Sequence, residues 1–209
     1  MSKQNTIDEF YKLFMGEFKR KWRSNTWFGV AAWKCPFDLW VMQELLYRIK
    51  PDYLIETGTA YGGSALYYAH MFDILGQGKV VTIDDNSGKK GSRNRQPHDR
   101  ITYITGSSVD EGIVNHVFKL VEGTTVLVNL DSCHTEAHVY KELVIWSPLV
   151  SVDSYIVVED TVLDANLYGP GPMEAVQRWL INNPNFQIDI NCEKFLLTFN
   201  PSGYLKRLS

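Results

Sequence analysis

Strand and helix patterns alternate five times between Tyr53 and Ile181, and this alternation limits the fold more than anything else in the chain. Short apolar runs at 53–55, 79–83, 101–104, 125–130 and 155–158 read as strands. Helical spacing covers 64–75, 110–121, 135–145 and 173–181. Such an order calls for a parallel sheet with helices on both faces. Two further strand patterns, 186–190 and 195–199, are separated by a short polar turn. A connection that short predicts an antiparallel pair, because a parallel crossover needs about a dozen residues or more. The expected fold class is therefore α/β: a doubly wound, mostly parallel, seven-stranded sheet with a C-terminal antiparallel hairpin. Residues 1–50 read as an N-terminal helical cap region, with helical spacing at 6–23 and a second helix opened by Pro36 and ended near Pro51. The core is 51–209, one domain overall, with no internal repeat.

The first strand runs into Glu56-Thr57-Gly58-Thr59-Ala60-Tyr61-Gly62-Gly63-Ser64. Apolar residues, an acid, then glycines opening a helix read as strand, tight turn and helix N-terminus. Glycine allows positive φ and close approach of backbone to a ligand, and a helix start favours a negative group. The spacing is not the dinucleotide fingerprint Gly-x-Gly-x-x-Gly. An acid ahead of Gly-x-x-x-Gly resembles the first motif of S-adenosylmethionine-dependent methyltransferases; an ordinary βα turn is the alternative. On this reading Glu56, Gly58, Thr59, Ala60, Gly62 and Ser64 are candidate cofactor contacts.

In doubly wound sheets ligands bind beyond the carboxyl ends of the strands. Four of the five predicted parallel strands end on carboxylates: Glu56 within its turn, Asp84, Asp131, and the pair Glu159-Asp160. Each alone reads as a solvated loop acid. Gathered on one rim they repel one another unless something positive lies among them. Asp84 is placed for a ribose diol, with two acceptor oxygens for two hydroxyls. Ser108 is a candidate adenine contact or, alternatively, a helix N-cap. Asp131 belongs to both the cofactor and the metal sets; with Glu159 and Asp160 it offers hard oxygen ligands that suit Mg²⁺ better than zinc or iron. His134, where the next helix begins, is the candidate general base, its unperturbed pKa near 6.5 suiting that work. A backbone-bonded helix-start histidine is the alternative. His134-Thr135-Glu136 mimics a His-x-acid iron site, but residues two apart on a helix point apart.

Composition excludes several classes. The 209 residues carry a net charge of −3, with nothing that demands nucleic acid or a membrane as partner. Three widely spaced cysteines (35, 133 and 192) argue against a disulfide framework or structural zinc and for a reducing cytoplasm. The first residues lack the apolar run of a signal peptide, and no stretch reaches the length of a membrane span. A basic segment, 88–100, holds Lys89, Lys90, Arg93, Arg95 and Arg100. It reads as a surface loop, near substrate or cofactor or simply solvated.

Taken together, Thr26-Trp27-Phe28-Gly29, Pro36-Phe37-Asp38-Leu39-Trp40, Gln43-Glu44, Glu56-Thr57-Gly58-Thr59, Gly62-Gly63-Ser64-Ala65, Leu130-Asp131-Ser132, Glu159-Asp160, Gly171-Pro172 and Gly203-Tyr204-Leu205-Lys206-Arg207 resemble the cephalosporin hydroxylase and rhamnosyl O-methyltransferase family. The likeness runs through nearly everything after residue 25. It implies the class I methyltransferase fold (Rossmann-like), S-adenosyl-L-methionine as donor, and Mg²⁺ held by Asp131, Glu159 and Asp160. A more distant similarity to catechol O-methyltransferases implies cofactor roles for Glu56, Ser64, Asp84 and Ser108, and puts His134 where that group has a catalytic lysine. Cys133 and Met42 depart from the family pattern.

The expected function is Mg²⁺-dependent O-methyl transfer to a hydroxyl of a sugar or small natural product. The alternatives are a hydroxylase-like oxidoreductase, for which the sequence offers no nicotinamide fingerprint, and a non-catalytic donor-binding subunit. The expected partner is a small-molecule hydroxyl acceptor, with no membrane or nucleic acid required and a homo-oligomer allowed.

Overall fold

The computed structural model describes residues 3–17, 21–86, 95–165 and 170–209. Chain order is α1 (Lys3–Tyr11), β1 (Thr26–Trp27), β2 (Val30–Ala31), α2 (Pro36–Ile49), β3 (Tyr53–Thr57), α3 (Gly63–Leu75), β4 (Lys79–Asp84), β5 (Ile101–Thr105), α4 (Glu111–Leu120), β6 (Val126–Leu130), α5 (Glu136–Trp146), β7 (Tyr155–Val158), α6 (Pro172–Leu180), β8 (Phe186–Ile188) and β9 (Tyr204–Arg207). The main sheet has seven strands in the order β5-β4-β3-β6-β7-β9-β8. Its first five strands pair in parallel, and β9 pairs antiparallel with both β7 and β8. The expected sheet is therefore present, and its order reverses between β3 and β6, which brings the glycine turn after β3 to the tip of β6.

Period-two alternation sorts the strand side chains into two cores. Ile55, Val81, Ile83, Val128, Leu130, Ile156 and Val158 face one layer, with Val139, Leu143 and Trp146 of α5 and Val176 and Trp179 of α6. Leu54, Val80, Leu127, Tyr155 and Val157 face the other, with Leu45 and Leu46 of α2 and Tyr68 and Phe72 of α3. On that second face the next in-phase positions are polar and still buried: Glu56, Thr82, Asn129 and Glu159. Apolar packing thus gives way to a polar layer towards the carboxyl ends of the strands.

Three expectations need correction. Residues 195–199 are not a strand; the partner of β8 is β9, reached through a 3₁₀ turn at Ile190–Glu193. The apolar run there serves another purpose. Thr198 Oγ1 and the Phe199 amide donate to the buried Asp38 carboxylate at 2.5 and 2.8 Å, and Leu196 has φ +66°, outside the strand region. The helical pattern at 6–23 is not one helix either: α1 passes into a π-turn at Lys12–Glu17, and a 3₁₀ turn follows at Lys21–Ser24. The N-terminal region, finally, is not helical throughout, since β1 and β2 form an antiparallel hairpin before α2.

Candidate active site

The turn after β3 is shaped by two glycines in the left-handed region. Gly58 has φ +86°, and a Cβ there would lie 1.8 Å from the Asp131 carbonyl oxygen, so only glycine lets the tips of β3 and β6 meet. Gly62, at φ +85°, is the N-cap of α3. Between them the Ala60 amide donates to Asp84 Oδ2 at 2.8 Å. Asp84 Oδ1 accepts from the Asn86 amide at 2.6 Å, and Arg95 lies 3.3 Å from Oδ2. The ribose candidate therefore sits at the turn, tied to it on one side and to the basic segment on the other. Residues 87–94, with Lys89, Lys90 and Arg93, lie outside the described residues.

Glu56 is fully buried at the base of the turn. The Thr59 hydroxyl is 2.6 Å from that of Thr82, which donates to Glu56 Oε2 at 2.6 Å. Thr59 accordingly faces inward, and what it offers a ligand is backbone. Glu56 Oε1 has no hydrogen-bond partner among the described residues. Burial raises the Glu56 pKa, opposed chiefly by the Lys34 ammonium. Ser64 is buried in the first turn of α3. Ser108 is not a helix cap: Asp110 caps α4, accepting from the Gly112 and Ile113 amides. The Ser108 hydroxyl instead meets His138 Nε2 at 3.2 Å.

At the tips of β6 and β7 three groups converge. Ligand atoms of Asp131, His134 and Asp160 lie within 4.8 Å of one another, an arrangement able to hold a metal ion. His134 Nε2 is 3.2 Å from Asp131 Oδ1 and 3.6 Å from Asp160 Oδ2. Asp160 has φ +58°, a strained conformation for a non-glycine residue, held by a hydrogen bond from its amide to Asn200 Oδ1 at 2.9 Å. Glu159 is not in that set. Its Oε1 accepts from Asn129 Nδ2 at 2.9 Å and meets Lys34 Nζ at 2.5 Å.

Lys34 is the functional residue that sequence reasoning missed. It is 4 % exposed, and its ammonium also contacts Asp131 Oδ2 at 2.6 Å. The segment carrying it lies against the glycine turn. A Cβ on Gly63 would fall 2.2 Å from the Ala31 carbonyl oxygen, and Trp33 packs on Tyr61 with ring centroids 5.0 Å apart. Arg23 lies over both Trp22 and Trp33 and so braces this segment. One signal was available: apolar packing on this face ends in a row of acids and amides, and a buried acid needs a nearby cation.

The electrostatics follow from burial and proximity. For Lys34, burial favours the neutral form, but Asp131 and Glu159 overcome it and hold the group well above the usual lysine range. Burial works upward on Asp131 too, yet Lys34 and His134 bring it below the usual value. Burial, then the Asp131 charge, push Asp160 up to about 6. His134 is lowered by burial but raised more by Asp131 and Asp160, to about 9, so it stands as an imidazolium at neutral pH. The cluster has more negative charge than it can keep without cations.

Comparisons with known proteins give the family. Residues 19–208 match the family model described as Rhamnosyl O-methyltransferase/CmcI. The chain is 34% identical to Rhamnosyl O-methyltransferase of Mycobacterium tuberculosis (strain ATCC 25618 / H37Rv), covering 96% of this chain and 84% of the relative. It is 32% identical to Rhamnosyl O-methyltransferase of Mycobacterium leprae (strain TN), over 96% and 90%. Among solved structures, CmcI with Mg and SAM superposes with a TM-score of 0.68 at 19% identity, covering 90% of this chain and 78% of that one. A putative caffeoyl-CoA O-methyltransferase from Staphylococcus aureus gives 0.57 at 17% identity, over 88% and 91%. These structural likenesses establish the class I methyltransferase fold. No helix among the described residues is long and apolar enough to cross a membrane. With the family match spanning nearly all of it, the chain belongs to the rhamnosyl O-methyltransferase/CmcI family.

Proposed function

We propose that this protein is a Mg²⁺-dependent, S-adenosylmethionine-dependent O-methyltransferase acting on a hydroxyl of a sugar or small natural product. The observation that carries the reading is the convergence of Asp131, His134 and Asp160 at strand tips beside the glycine turn. The residues present fit both groups. The cluster offers carboxylate oxygens of Asp131 and Asp160 with no thiol, which suits a hard divalent ion. The turn offers the buried, unpartnered Glu56 Oε1 and a cleft lined by Lys34, Gly58, Thr59, Ala60, Tyr61 and Ser64. Relatives named rhamnosyl O-methyltransferases and a family structure named with Mg and SAM support the same assignment.

When bound, Mg²⁺ supplies Lewis acidity to an acceptor hydroxyl, and the donor supplies the methyl group. Asp131 and Asp160 provide the metal's oxygen ligands, with Glu159 completing the set expected from sequence. Asp84 would receive the ribose and Ser108 the adenine. The main-chain amides of the turn and the buried Glu56 fix the donor's remaining polar atoms. His134 holds a proton while it faces both Asp131 and Asp160, sharing the Asp131 charge with Lys34. With those carboxylates committed to the metal, Nε2 would be free to accept the proton of the acceptor hydroxyl. Positioning supplies much of the acceleration.

Calorimetry with S-adenosylmethionine, with and without Mg²⁺, followed by mass spectrometry of rhamnoside acceptors, tests this. A mass gain of one methyl group per acceptor, abolished by a chelator, is the expected outcome. Donor binding with no transfer to any hydroxyl acceptor would favour a non-catalytic subunit and overturn the proposal.

A further inference from the structure

We propose that Arg95 is a positioning residue of the donor site: together with Asp84 it clamps the strained Ala60 peptide and holds the glycine turn ready for the donor. The inference rests on the donor reading above and deepens it, and it gives the C-terminal end of the basic segment a role.

Ala60 lies in the turn with φ +43°, a conformation that is unfavourable for a residue with a Cβ and persists only where its surroundings hold it. Both of its main-chain groups are held. Its amide donates to Asp84 Oδ2 at 2.8 Å, and its carbonyl accepts from Arg95 Nε at 3.0 Å. Arg95 Nη2 lies 3.3 Å from the same Asp84 oxygen, so the three residues close a ring. A guanidinium suits this place because its planar fork serves two acceptors at once, whereas an ammonium is a single point of charge. The other Asp84 oxygen accepts from the Asn86 amide at 2.6 Å. Both oxygens of the ribose candidate are thus oriented before any donor arrives, and an acceptor already in place lowers the ordering cost of binding.

Arg95 is itself fixed. Its side chain is 10 % exposed. Its stem runs along Gly62, where a Cβ would lie 3.2 Å from Arg95 Cγ, and its guanidinium stands 5.9 Å from the centroid of the Tyr103 ring. Tyr103 Oη donates to the Gln96 carbonyl at 2.9 Å, which ties the next residue to β5. Further along, Arg100 fastens the segment to the end of α3, meeting Asp73 Oδ1 at 2.7 Å and the Gly78 carbonyl at 2.9 Å. The chain at 95–100 therefore runs from the glycine turn to the far end of α3, anchored at both. A merely solvated loop would leave that guanidinium in water.

Donor affinity and amide exchange in the full chain test this. The probes are S-adenosylhomocysteine and S-adenosylmethionine, followed by calorimetry, and hydrogen exchange of the Ala60 amide in the donor-free chain. Arg95→Met should weaken both ligands to a similar extent, about tenfold, and speed exchange of that amide by about as much. Arg95→Lys should match Arg95→Met to within about threefold, because it keeps the charge and loses the fork. The deciding variant is Arg95→Met/Ala60→Gly. Glycine takes φ +43° without strain and so does not need the clamp. Its donor affinity should return to within about threefold of wild type. A double variant as weak as Arg95→Met overturns the inference. So does an Arg95→Lys chain with wild-type affinity, or an Arg95→Met chain that binds only the sulfonium donor more tightly, since either makes Arg95 a charge and nothing more. Those results leave the proposed function intact, whereas a wild-type chain that binds neither ligand overturns both.

Discussion

Two sets of carboxylates, the buried Asp38 on one hand and the buried Glu159 with the half-buried Asp131 and Asp160 on the other, are solved in opposite ways. Asp38, in the first turn of α2, is closed off by neutral donors: Thr198 Oγ1 at 2.5 Å, the Phe199 amide at 2.8 Å and Tyr204 Oη at 3.0 Å. Asp131, Glu159 and Asp160 instead face one another and depend on Lys34 and His134 for charge. A carboxylate whose lone pairs are met by fixed hydroxyls and amides is part of the scaffold. A group of acids that must share cations is poised to bind one. The first arrangement holds the C-terminal segment onto α2; the second leaves room for exchange, which binding and catalysis require.

That contrast can be broken by substitution. Asp160→Ala should have the largest effect, lowering turnover roughly a thousandfold or more by removing a metal oxygen, with the fold kept. Circular dichroism alongside Mg²⁺ calorimetry checks both halves, and full activity in a chelator refutes the metal role. His134→Ala should lower turnover by about a hundredfold with little change in donor affinity, and the limb assigned to the base should vanish from the pH–rate profile. An unaltered profile removes His134 as the base.

Asp38→Ala should act on stability and leave metal affinity alone. It orphans three donors and costs about 3 kcal/mol, read as a lower denaturant midpoint at unchanged slope. A loss of Mg²⁺ binding there would merge the two classes of acid. The smallest effect is a pH dependence of the metal-free chain. The folded-state pKa of His134, about 9, exceeds its unfolded value of 6.5. Its contribution is therefore fully present below about pH 6.5 and is lost as pH rises through about 9. Partial exposure reduces this to about 1 kcal/mol. The melting temperatures of wild type and His134→Ala should converge between pH 6.5 and 10, and parallel curves would contradict the ion pairs.

Much of this was legible in the sequence because it follows from local rules. Alternating periodicity gave the parallel strands, the glycine spacing gave the turn between β3 and α3, and the acids at 84, 131, 159 and 160 marked the strand tips. Errors arose where a tertiary partner decided the conformation. Residues 195–199 are apolar enough for a strand, but their backbone and hydroxyl are committed to Asp38, 160 or so positions earlier. In the sequence the true last strand, β9, stands out only through the family likeness of Gly203-Tyr204-Leu205-Lys206-Arg207. Lys34 sits between a tryptophan and a cysteine with no periodic signature, and nothing local indicates that a lysine there is buried. Its role depends on meeting Asp131 and Glu159 from distant strands. Ser108 was open between two roles, and Asp110, two residues on, took the cap.

The most direct measurement is methyl transfer itself. Purified protein is given isotopically labelled S-adenosylmethionine and a rhamnoside acceptor, and product is followed by mass spectrometry as Mg²⁺ is titrated in and then chelated. The account predicts label on a hydroxyl oxygen, appearing with Mg²⁺ and stopping with its removal. Transfer that continues undiminished in chelator, or label that never reaches a hydroxyl of any acceptor, would contradict it.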